Sequence, residues 1–469
     1  MSNDYTEDKL VQETTINYFR ETLGWETGYA HNTEVLGKDG SFGREDEKAV
    51  ILTRHLRSAL ETLNPGLPQA AYNEAIETIV SESVSKSLIQ TNKEKYEYLK
   101  NGIPVSLRND KGETETLKLK LLDFNTPNDN HFLAIRELRI QGNPYRRRPD
   151  IVGFVNGIPL LFIELKNIHK DIKAAYINNL SDYKDTIPHI FHHNALIILS
   201  NGNEGKIGSV SGKYGHFSEW KRLGEGDKGV VEFETLLKGI CTKENFIDIF
   251  ENFILFDESS GKTAKIIARN HQFLGVSQAV ESVKSRKANQ GQLGVFWHTQ
   301  GSGKSYSMVF FCQKIHRKFK GNHTFVIVTD RRELDAQIYE TFAGTGAVSG
   351  RHVRASSGEH LEELLRQDHR YIFTLIHKFN QEAETPYSER DDIIVISDEA
   401  HRTQYGRLAL NMRNALPNAA FIGFTGTLCL RRMKSQEKYS EITSPHTISN
   451  GPWKTAQPCR SFMRTGARN

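Results

Sequence analysis

The spacing of apolar residues over the first hundred positions is helical. An apolar stripe predicts a helix over residues 5–25, with Gly24 as its stop signal. The same periodicity predicts helices over residues 45–63 and 69–95. This part of the chain is therefore expected to supply helices that cover one face of a sheet.

From residue 103 the pattern changes to alternation of apolar and polar positions. Segments 103–107, 115–123 and 131–140 alternate in this way and are predicted to be antiparallel strands. Two further apolar segments flank Asn156-Gly157 and predict a hairpin, and the run 195–199 predicts a buried strand. Helical spacing returns over residues 234–256, which we interpret as a connector to a second domain.

The second half of the chain alternates short apolar runs with helical segments. The runs that predict buried strands are 295–297, 325–329, 371–376, 393–397 and 420–425. Strands and helices that alternate at this spacing are typical of a parallel sheet with helices on both faces. Ligand sites in such sheets lie at the carboxyl ends of the strands.

A glycine-rich loop follows the first of these runs and precedes a helical segment. Strand, glycine loop, Lys-Ser and helix form the arrangement that cradles phosphates with backbone N–H groups and a helix N-terminus. The residues that we expect to bind a nucleotide here are Thr299, Gly301, Ser302, Gly303, Lys304 and Ser305, with Ser305 also a Mg²⁺ ligand. His298 replaces the first glycine of the usual pattern. The alternative is a chance match in a glycine-containing loop.

Two carboxylates at the end of run 393–397 make the chance match improbable. We expect Asp398 to hold Mg²⁺ through water and Glu399 to orient a hydrolytic water. The tetrad that begins at Asp398 ends in His401, and Thr425-Gly-Thr427 follows. Together with the glycine loop, these residues predict a site for ATP and Mg²⁺.

A second group of charged residues lies on the apolar hairpin. Glu164 and Lys166 are two residues apart on a nearly continuous apolar strand and therefore share one face. Buried charges are costly unless they pair or bind a metal. One interpretation is a structural ion pair. The other is a Mg²⁺ site in which Asp150 and Glu164 are ligands and Lys166 orients the attacking water.

The hairpin register decides whether Asp150 can join this site. A two-residue turn, Asn156-Gly157, would pair Asp150 with position 163 and place it on the face opposite Glu164. A three-residue loop over 155–157, with Gly157 left-handed and forming a bulge, would pair Asp150 with position 162 and place both carboxylates on one face. The chemistry needs the shared face, so we predict the three-residue loop.

Composition limits the classes of protein but does not choose among them. With 469 residues, 38% of them hydrophobic, the chain should form two or three domains of a globular protein without a membrane span. Its polar, acidic start resembles no signal peptide, and its four cysteines lack metal spacing, which suits the cytoplasm. The net charge of +4 arises after residue 428, so it does not itself indicate nucleic-acid binding.

The string from Arg148-Pro-Asp-Ile-Val to Phe162-Ile-Glu-Leu-Lys-Asn resembles the PD-(D/E)xK nucleases, in the form found in R subunits of type I restriction enzymes. That family carries a Gln-x-x-x-Tyr helix. Tyr183 matches it as a further catalytic residue, whereas Asn179 departs from it. Family nucleases often add an acidic residue from an N-terminal helix, for which Glu13 is a candidate. Gln272 resembles the adenine-reading glutamine of superfamily two helicases.

The resemblance implies a DNA-cleaving, ATP-binding translocase subunit that uses Mg²⁺ and ATP. It also implies double-stranded DNA and modification and specificity subunits as partners. The expected domains are a PD-(D/E)xK nuclease with a mixed sheet and an N-terminal helical region (1–258) and one RecA-like lobe of Asp-Glu-Ala-His type (259–427).

Residues 428–469 depart from the family pattern. We expect them to form a basic, poorly ordered tail on a truncated subunit whose ATP-driven translocation is lost. The alternatives are an inert remnant that only binds DNA or partner subunits, and a helicase-nuclease of superfamily two that acts in repair.

Overall fold

Two six-stranded sheets form the framework of the chain. The computed structural model describes residues 2–82, 85–108, 113–297, 299, 301–348, 350, 353–380, 385–398, 406–426 and 447–449. The strands of the first half are β1 (Glu26–Tyr29), β2 (Ile103–Arg108), β3 (Thr114–Leu119), β4 (Phe132–Arg136), β5 (Ile140–Gln141), β6 (Arg146–Arg147), β7 (Ile151–Val155), β8 (Ile158–Leu165), β9 (Leu196–Ser200) and β10 (Gly205–Gly208).

The first sheet is mixed. Its strand order is β1-β4-β7-β8-β9-β10, while β2 with β3 and β5 with β6 form separate two-stranded ribbons. Strand β8 pairs antiparallel with β7 and parallel with β9. All eight residues of β8 are buried, as expected of a strand at the centre of a sheet that is covered on both faces. This confirms the mixed sheet predicted for the first half.

Helices cover this sheet. They are α1 (Ser2–Glu21), α2 (Thr53–Leu63), α3 (Gln69–Val80), α4 (Leu88–Asn101), α5 (Ile172–Ala174), α6 (Ser181–Thr186), α7 (Phe233–Cys241) and α8 (Lys243–Asn252). A π-helical segment, Ala175–Leu180, joins α5 to α6. None of the helices in the described part of the chain is long and apolar enough to cross a membrane.

The second sheet is entirely parallel. It follows a two-stranded antiparallel ribbon of β11 (Ile254–Asp257) and β12 (Ala264–Ile267), and its strands are β13 (Gln292–Trp297), β14 (Thr324–Thr329), β15 (Tyr371–Leu375), β16 (Ile393–Asp398), β17 (Ala420–Thr425) and β18 (Thr447–Ser449). The strand order is β15-β14-β16-β17-β13-β18. The intervening helices are α9 (Asn270–Lys284), α10 (Lys304–Lys318), α11 (Arg332–Gly344), α12 (Gly358–Arg366) and α13 (Gly406–Ala415). The predicted parallel α/β lobe is confirmed.

The helix predicted over residues 45–63 is shorter than expected, because it begins only at Thr53. The Asp46 side chain accepts hydrogen bonds from the backbone N–H groups of Lys48 and Ala49. The guanidinium of Arg44 binds the carbonyl of Ala49. Side-chain bonds of this kind offer the backbone an alternative to the helix, so the prediction is wrong over its first eight positions.

The predicted helix over residues 69–95 is two helices, α3 and α4. The second begins at a capping box, in which Ser87 is the N-cap and Gln90 the third helical residue. A reciprocal cap fixes a new helix start and a new direction of the chain. The apolar periodicity of the two helices runs on across the break, which is why the pattern alone indicated one helix.

The predicted boundary between the domains falls inside the ribbon of β11 and β12. One hydrophobic core is continuous from Phe19 in α1 to Phe424 in β17. The Tyr96 hydroxyl donates to the carbonyls of Phe250 (2.8 Å) and Ile254 (3.3 Å). The division at residues 258 and 427 stays a prediction, but the two halves share packed side chains.

Candidate nuclease and nucleotide sites

The turn between β7 and β8 has two residues, not three. Asn156 and Gly157 both have positive φ (51° and 79°), and Val155 pairs directly with Ile158. Two left-handed residues in succession are typical of the hairpin turn that Asn-Gly favours. The three-residue loop predicted for residues 155–157 is therefore wrong.

The shared face that the chemistry needs comes from a bulge instead. The register of β7 against β8 shifts between Gly153 and Phe154, so that Ile151 pairs with Ile163. Extended by one residue, this register sets Asp150 opposite Glu164. A bulge adds one residue to one strand and so reverses which face every later side chain occupies. The predicted grouping of Asp150, Glu164 and Lys166 arises by this route.

Hydrogen bonds hold the two carboxylates of this group in place. Asp150 Oδ2 accepts a hydrogen bond from the backbone N–H of Leu165 at 2.6 Å, and Asp150 Oδ1 accepts one from Gln12 Nε2 at 2.7 Å. Lys166 Nζ donates to Glu164 Oε1 at 3.3 Å. Glu164 is only 1% exposed. Burial, and next the charge of Asp150, raise the pKa of the Glu164 carboxyl well above its ordinary value.

Tyr183 lies beside this group, as predicted. Its ring packs edge-on against Phe162 of β8, and its hydroxyl accepts a hydrogen bond from Asn179 Nδ2 at 3.4 Å. Burial, and next the charge of Glu164, raise the pKa of Tyr183. Asn179, which departs from the glutamine of the family pattern, thus positions the tyrosine hydroxyl from the π-helical segment.

Helix α1 contributes a residue that the sequence analysis missed. Glu13, the acidic candidate, pairs with Arg136 Nη1 at 3.2 Å on an exposed surface. Its neighbour Gln12 is the residue that contacts Asp150, and it is 7% exposed. Gln12 occupies the inner face of α1 together with Thr15 and Phe19, which are also buried. A polar residue in the apolar stripe of α1 was the available signal.

The phosphate loop has the expected architecture. Strand β13 ends at Trp297 and helix α10 begins at Lys304, with Gly303 as its N-cap in the left-handed region (φ 88°). The Ser302 hydroxyl donates to the carbonyl of Thr299 at 2.5 Å, which closes the loop on itself. Gly301 is also left-handed (φ 80°), and no described atom lies within 4 Å of the position that a Cβ on this residue would occupy. His298 lies outside the described residues.

Lys304 and Asp398 meet at the carboxyl edge of the second sheet. Lys304 Nζ lies 3.5 Å from Asp398 Oδ1 at the end of β16. Ser305 follows Lys304 on the first turn of α10 and is partly exposed. Glu399 and Thr427 lie outside the described residues. The predicted cation and predicted Mg²⁺ ligand are therefore neighbours, as a nucleotide site requires.

Gln272 contacts the phosphate loop. Its Nε2 donates to the carbonyl of Gly303 (3.0 Å) and to Ser307 Oγ (3.2 Å), and its Oε1 accepts from the backbone N–H of Arg269 (2.9 Å). The side chain is 3% exposed. It therefore joins the start of α9 to the start of α10, and contact with adenine stays a prediction.

A cavity of about 320 Å³ adjoins this loop. Its walls come from both halves of the chain: Ser209 and His216 from the first half, and Arg269, Gly301 and Tyr306 from the second. Tyr306 donates its hydroxyl to Asp257 of β11. The space beside the candidate phosphate site is thus enclosed partly by the half that carries Asp150 and Glu164.

The fold and the two sites define the class: a nuclease-type α/β domain joined to an ATPase-type parallel lobe. Comparison with known protein families gives the same two regions. A model described as the N terminus of type I restriction enzyme R proteins matches residues 4–216, and an SWI2/SNF2 ATPase model matches residues 271–451. The resemblance to R subunits of type I restriction enzymes that the motifs predicted is therefore confirmed.

Individual relatives give the same assignment. The chain is 36% identical over 463 residues to the type I restriction enzyme HindI endonuclease subunit of Haemophilus influenzae, across 92% of this chain and 43% of the relative. It is 31% identical over 456 residues to the putative type I restriction enzyme MjaIXP endonuclease subunit of Methanocaldococcus jannaschii, across 90% and 42%. The chain spans less than half the length of these relatives. The ATPase match extends past residue 427, and β18 lies within it.

Proposed function

We propose that this chain hydrolyses phosphodiester bonds of double-stranded DNA at the Asp150–Glu164–Lys166 site in a Mg²⁺-dependent reaction. The observation that carries the proposal is the convergence of these three charged groups at the carboxyl end of β8, a central and fully buried strand. Burying a carboxylate is expensive unless a cation or a full set of hydrogen bonds compensates it.

The residues present fit a divalent cation. Glu164 Oε2 is buried and has no hydrogen-bond partner among the described residues. Lys166 engages only the other oxygen of this carboxylate, and the charge of Asp150 lies close by. Oxygen ligands with net negative charge are those that Mg²⁺ prefers, and Asp150 and Glu164 would hold it. A cation bound there would neutralise charge on the phosphate and make water a better nucleophile.

The remaining residues of the site have distinct roles. Lys166, at the edge of the site, holds Glu164 in place and offers its ammonium to a phosphate oxygen or to the attacking water. The buried Tyr183 hydroxyl, with its raised pKa, stays protonated and is able to donate a hydrogen bond. We propose that this hydroxyl orients either a carboxylate of the site or the attacking water.

The second part of the proposal is ATP binding at the phosphate loop. Lys304 and the N-terminal backbone of α10 would face the phosphates, and Ser305 and Asp398 would hold the accompanying Mg²⁺. Gln272 fixes the loop through the Gly303 carbonyl. Because Glu399 directly follows Asp398 in the sequence, we assign it the role of orienting a hydrolytic water. We further propose that the chain acts in the cytoplasm with modification and specificity subunits of a type I restriction complex.

The nuclease assignment is tested with supercoiled plasmid, Mg²⁺ and the full chain together with its partner subunits. Asp150→Asn and Glu164→Gln keep the shape of the site and remove one charge each. Each is expected to lower the cleavage rate at least about 100-fold, since the loss of a metal contact removes several kcal/mol. Nucleotide affinity should change less than about twofold, because the two sites are separate.

Glu13→Gln is the matched control. Glu13 lies next to Gln12 in sequence, but its carboxylate pairs with Arg136 at an exposed position. Cleavage by this variant should equal that of the unmodified chain. If Asp150→Asn cleaves as fast as the control, then the assignment of this site is wrong.

A further inference from the structure

Gln12 is a buried amide with one satisfied end and one unsatisfied end. Its Nε2 donates to Asp150 Oδ1 at 2.7 Å. Its Oε1 is buried and has no hydrogen-bond partner in the part of the chain that the structure describes. Leaving such an oxygen unsatisfied is unfavourable, so its position calls for a ligand.

The unsatisfied oxygen is near the site of the nuclease carboxylates. The two polar atoms of an amide share one carbon, so an amide whose nitrogen is bound to Asp150 keeps its oxygen beside the same carboxylate. Glu164 Oε2 is the other buried oxygen of this site without a partner. Each of these two buried oxygens thus belongs to a residue that neighbours Asp150.

The number of carboxylates explains why an amide is useful here. Among the described residues, no group of three or more His, Cys, Asp and Glu side chains could hold a metal ion. Asp150 and Glu164 provide two carboxylates, and Lys166 already offsets one of those charges. Amide oxygens are ordinary ligands for hard cations, and a neutral ligand adds no repulsion to a buried pair of carboxylates.

The position of Gln12 is fixed by the packing of α1. Val11, the preceding residue, packs over Gly202 at the end of β9, where a Cβ would approach the Val11 side chain at 3.1 Å. Thr15, one turn later, is buried and bonds back to the carbonyl of Val11. The contact of Val11 with Gly202 and the burial of Thr15 hold this part of α1 against the domain, which gives the amide little freedom to leave Asp150.

We propose that Gln12 is a third oxygen ligand of the divalent cation at the nuclease site, and that its amide nitrogen holds Asp150 in position. The inference rests on the proposed function of Asp150 and Glu164 as metal ligands. It gives helix α1 a direct part in the site, in place of the acidic residue expected from it.

The test is the binding of Mn²⁺ to the full chain without nucleotide or DNA, followed by electron paramagnetic resonance. Gln12→Met keeps an unbranched side chain of similar length and removes both polar atoms. It should weaken Mn²⁺ binding about 10–100-fold, the range typical of residues that orient or supplement metal ligands. Gln12→Glu keeps a ligand oxygen and adds a negative charge that should outweigh the lost hydrogen bond to Asp150, so it should bind Mn²⁺ about tenfold more tightly.

Two further variants separate the possible failures. Glu13→Gln changes the neighbouring exposed residue and should bind Mn²⁺ like the unmodified chain. Asp150→Asn should weaken binding whether or not Gln12 is a ligand. If Asp150→Asn weakens binding but Gln12→Met and Gln12→Glu do not alter it, the role of Gln12 is refuted and the metal site stands.

If Asp150→Asn also leaves binding unchanged, the proposed metal site itself is refuted. If Gln12→Met does not fold, Gln12→Glu decides alone. Tighter Mn²⁺ binding by Gln12→Glu then supports the inference, and equal or weaker binding overturns it.

Discussion

Lys265 of β12 is a buried ammonium held by neutral groups. It is 3% exposed, and its Nζ donates to Asn92 Oδ1 at 3.0 Å and to the carbonyl of Asn194 at 2.5 Å. The rings of Tyr96 and Phe256 lie 5.9 and 5.5 Å away. Burial lowers the pKa of this lysine from 10.5 to about 7. We predict that Lys265→Met makes the protein more stable at pH 6 and less stable at pH 10.

The magnitude follows from the change in pKa. At 1.36 kcal/mol for each pH unit, the difference between 10.5 and about 7 is a penalty of about 5 kcal/mol for burying the charge. The methionine removes this penalty but leaves Asn92 Oδ1 without its donor, at about 1–3 kcal/mol. The carbonyl of Asn194 keeps a hydrogen bond from Asn92 Nδ2. The net gain below pH 7 is therefore about 2–4 kcal/mol.

The sign reverses with pH. Below pH 7 the lysine is charged in both states, and the folded state bears the full penalty. Between pH 7 and 10.5 the folded lysine is neutral while the unfolded one still binds a proton, so the stability of the unmodified chain rises with pH. The advantage of Lys265→Met should shrink by about 1.4 kcal/mol per pH unit above pH 7 and vanish near about pH 8.5–10.

The assay is urea unfolding followed by tryptophan fluorescence at pH 6, 7, 8, 9 and 10. Lys262→Met is the control, since Lys262 is exposed in the turn between β11 and β12. Its pH profile should run parallel to that of the unmodified chain. A free-energy difference between Lys265→Met and the unmodified chain that stays constant with pH, or a less stable variant at pH 6, would refute the reasoning.

Two other predictions concern the second lobe and the helices that support it. Lys304→Ala should weaken ATP binding by about 10–100-fold in a fluorescent-nucleotide titration, because a charged hydrogen-bond donor to the phosphates is lost. Lys320→Ala, at an exposed position, should leave the affinity unchanged. Equal affinities of the two variants for ATP would refute the assignment of Lys304 to the nucleotide site. Gly239→Ala should lower stability by about 1–3 kcal/mol in urea unfolding, because the new Cβ would lie 2.2 Å from Trp220 Nε1. Gly215→Ala, whose Cβ would meet no described atom within 4 Å, should leave the free energy of unfolding unchanged. Equal losses of stability in the two variants would refute the packing argument.

The order of strands and helices could be predicted where apolar runs are continuous. Strands β14, β15, β16 and β17 coincide with predicted runs because parallel strands covered on both faces need apolar residues at every position. The phosphate loop was predictable for a different reason: its glycines are required by left-handed backbone at Gly301 and Gly303.

Details that depend on distant contacts could not be predicted. Gly153, an isolated glycine in a strand, marks the bulge between Gly153 and Phe154. Its cause is not visible in the hairpin sequence, because a Cβ at Gly153 would meet Leu161 at 2.9 Å and Trp25 at 3.0 Å. Packing by Trp25, far away in the chain, is part of what shapes this strand. Gln12 was missed for a similar reason, because its role follows from the proximity of α1 to Asp150.

The shared core also fixes an order of events during synthesis. The Tyr96 hydroxyl finds its acceptor at Phe250, 154 residues further along the chain, and the Trp25 indole N–H binds the carbonyl of Cys241, 216 residues further. At about 5–20 residues per second, a ribosome needs about 8–30 s to make the stretch between Tyr96 and Phe250. During that time the helices before β2 keep apolar faces uncovered. The nascent chain must therefore stay soluble, or be shielded by a chaperone, until α7 and α8 have emerged.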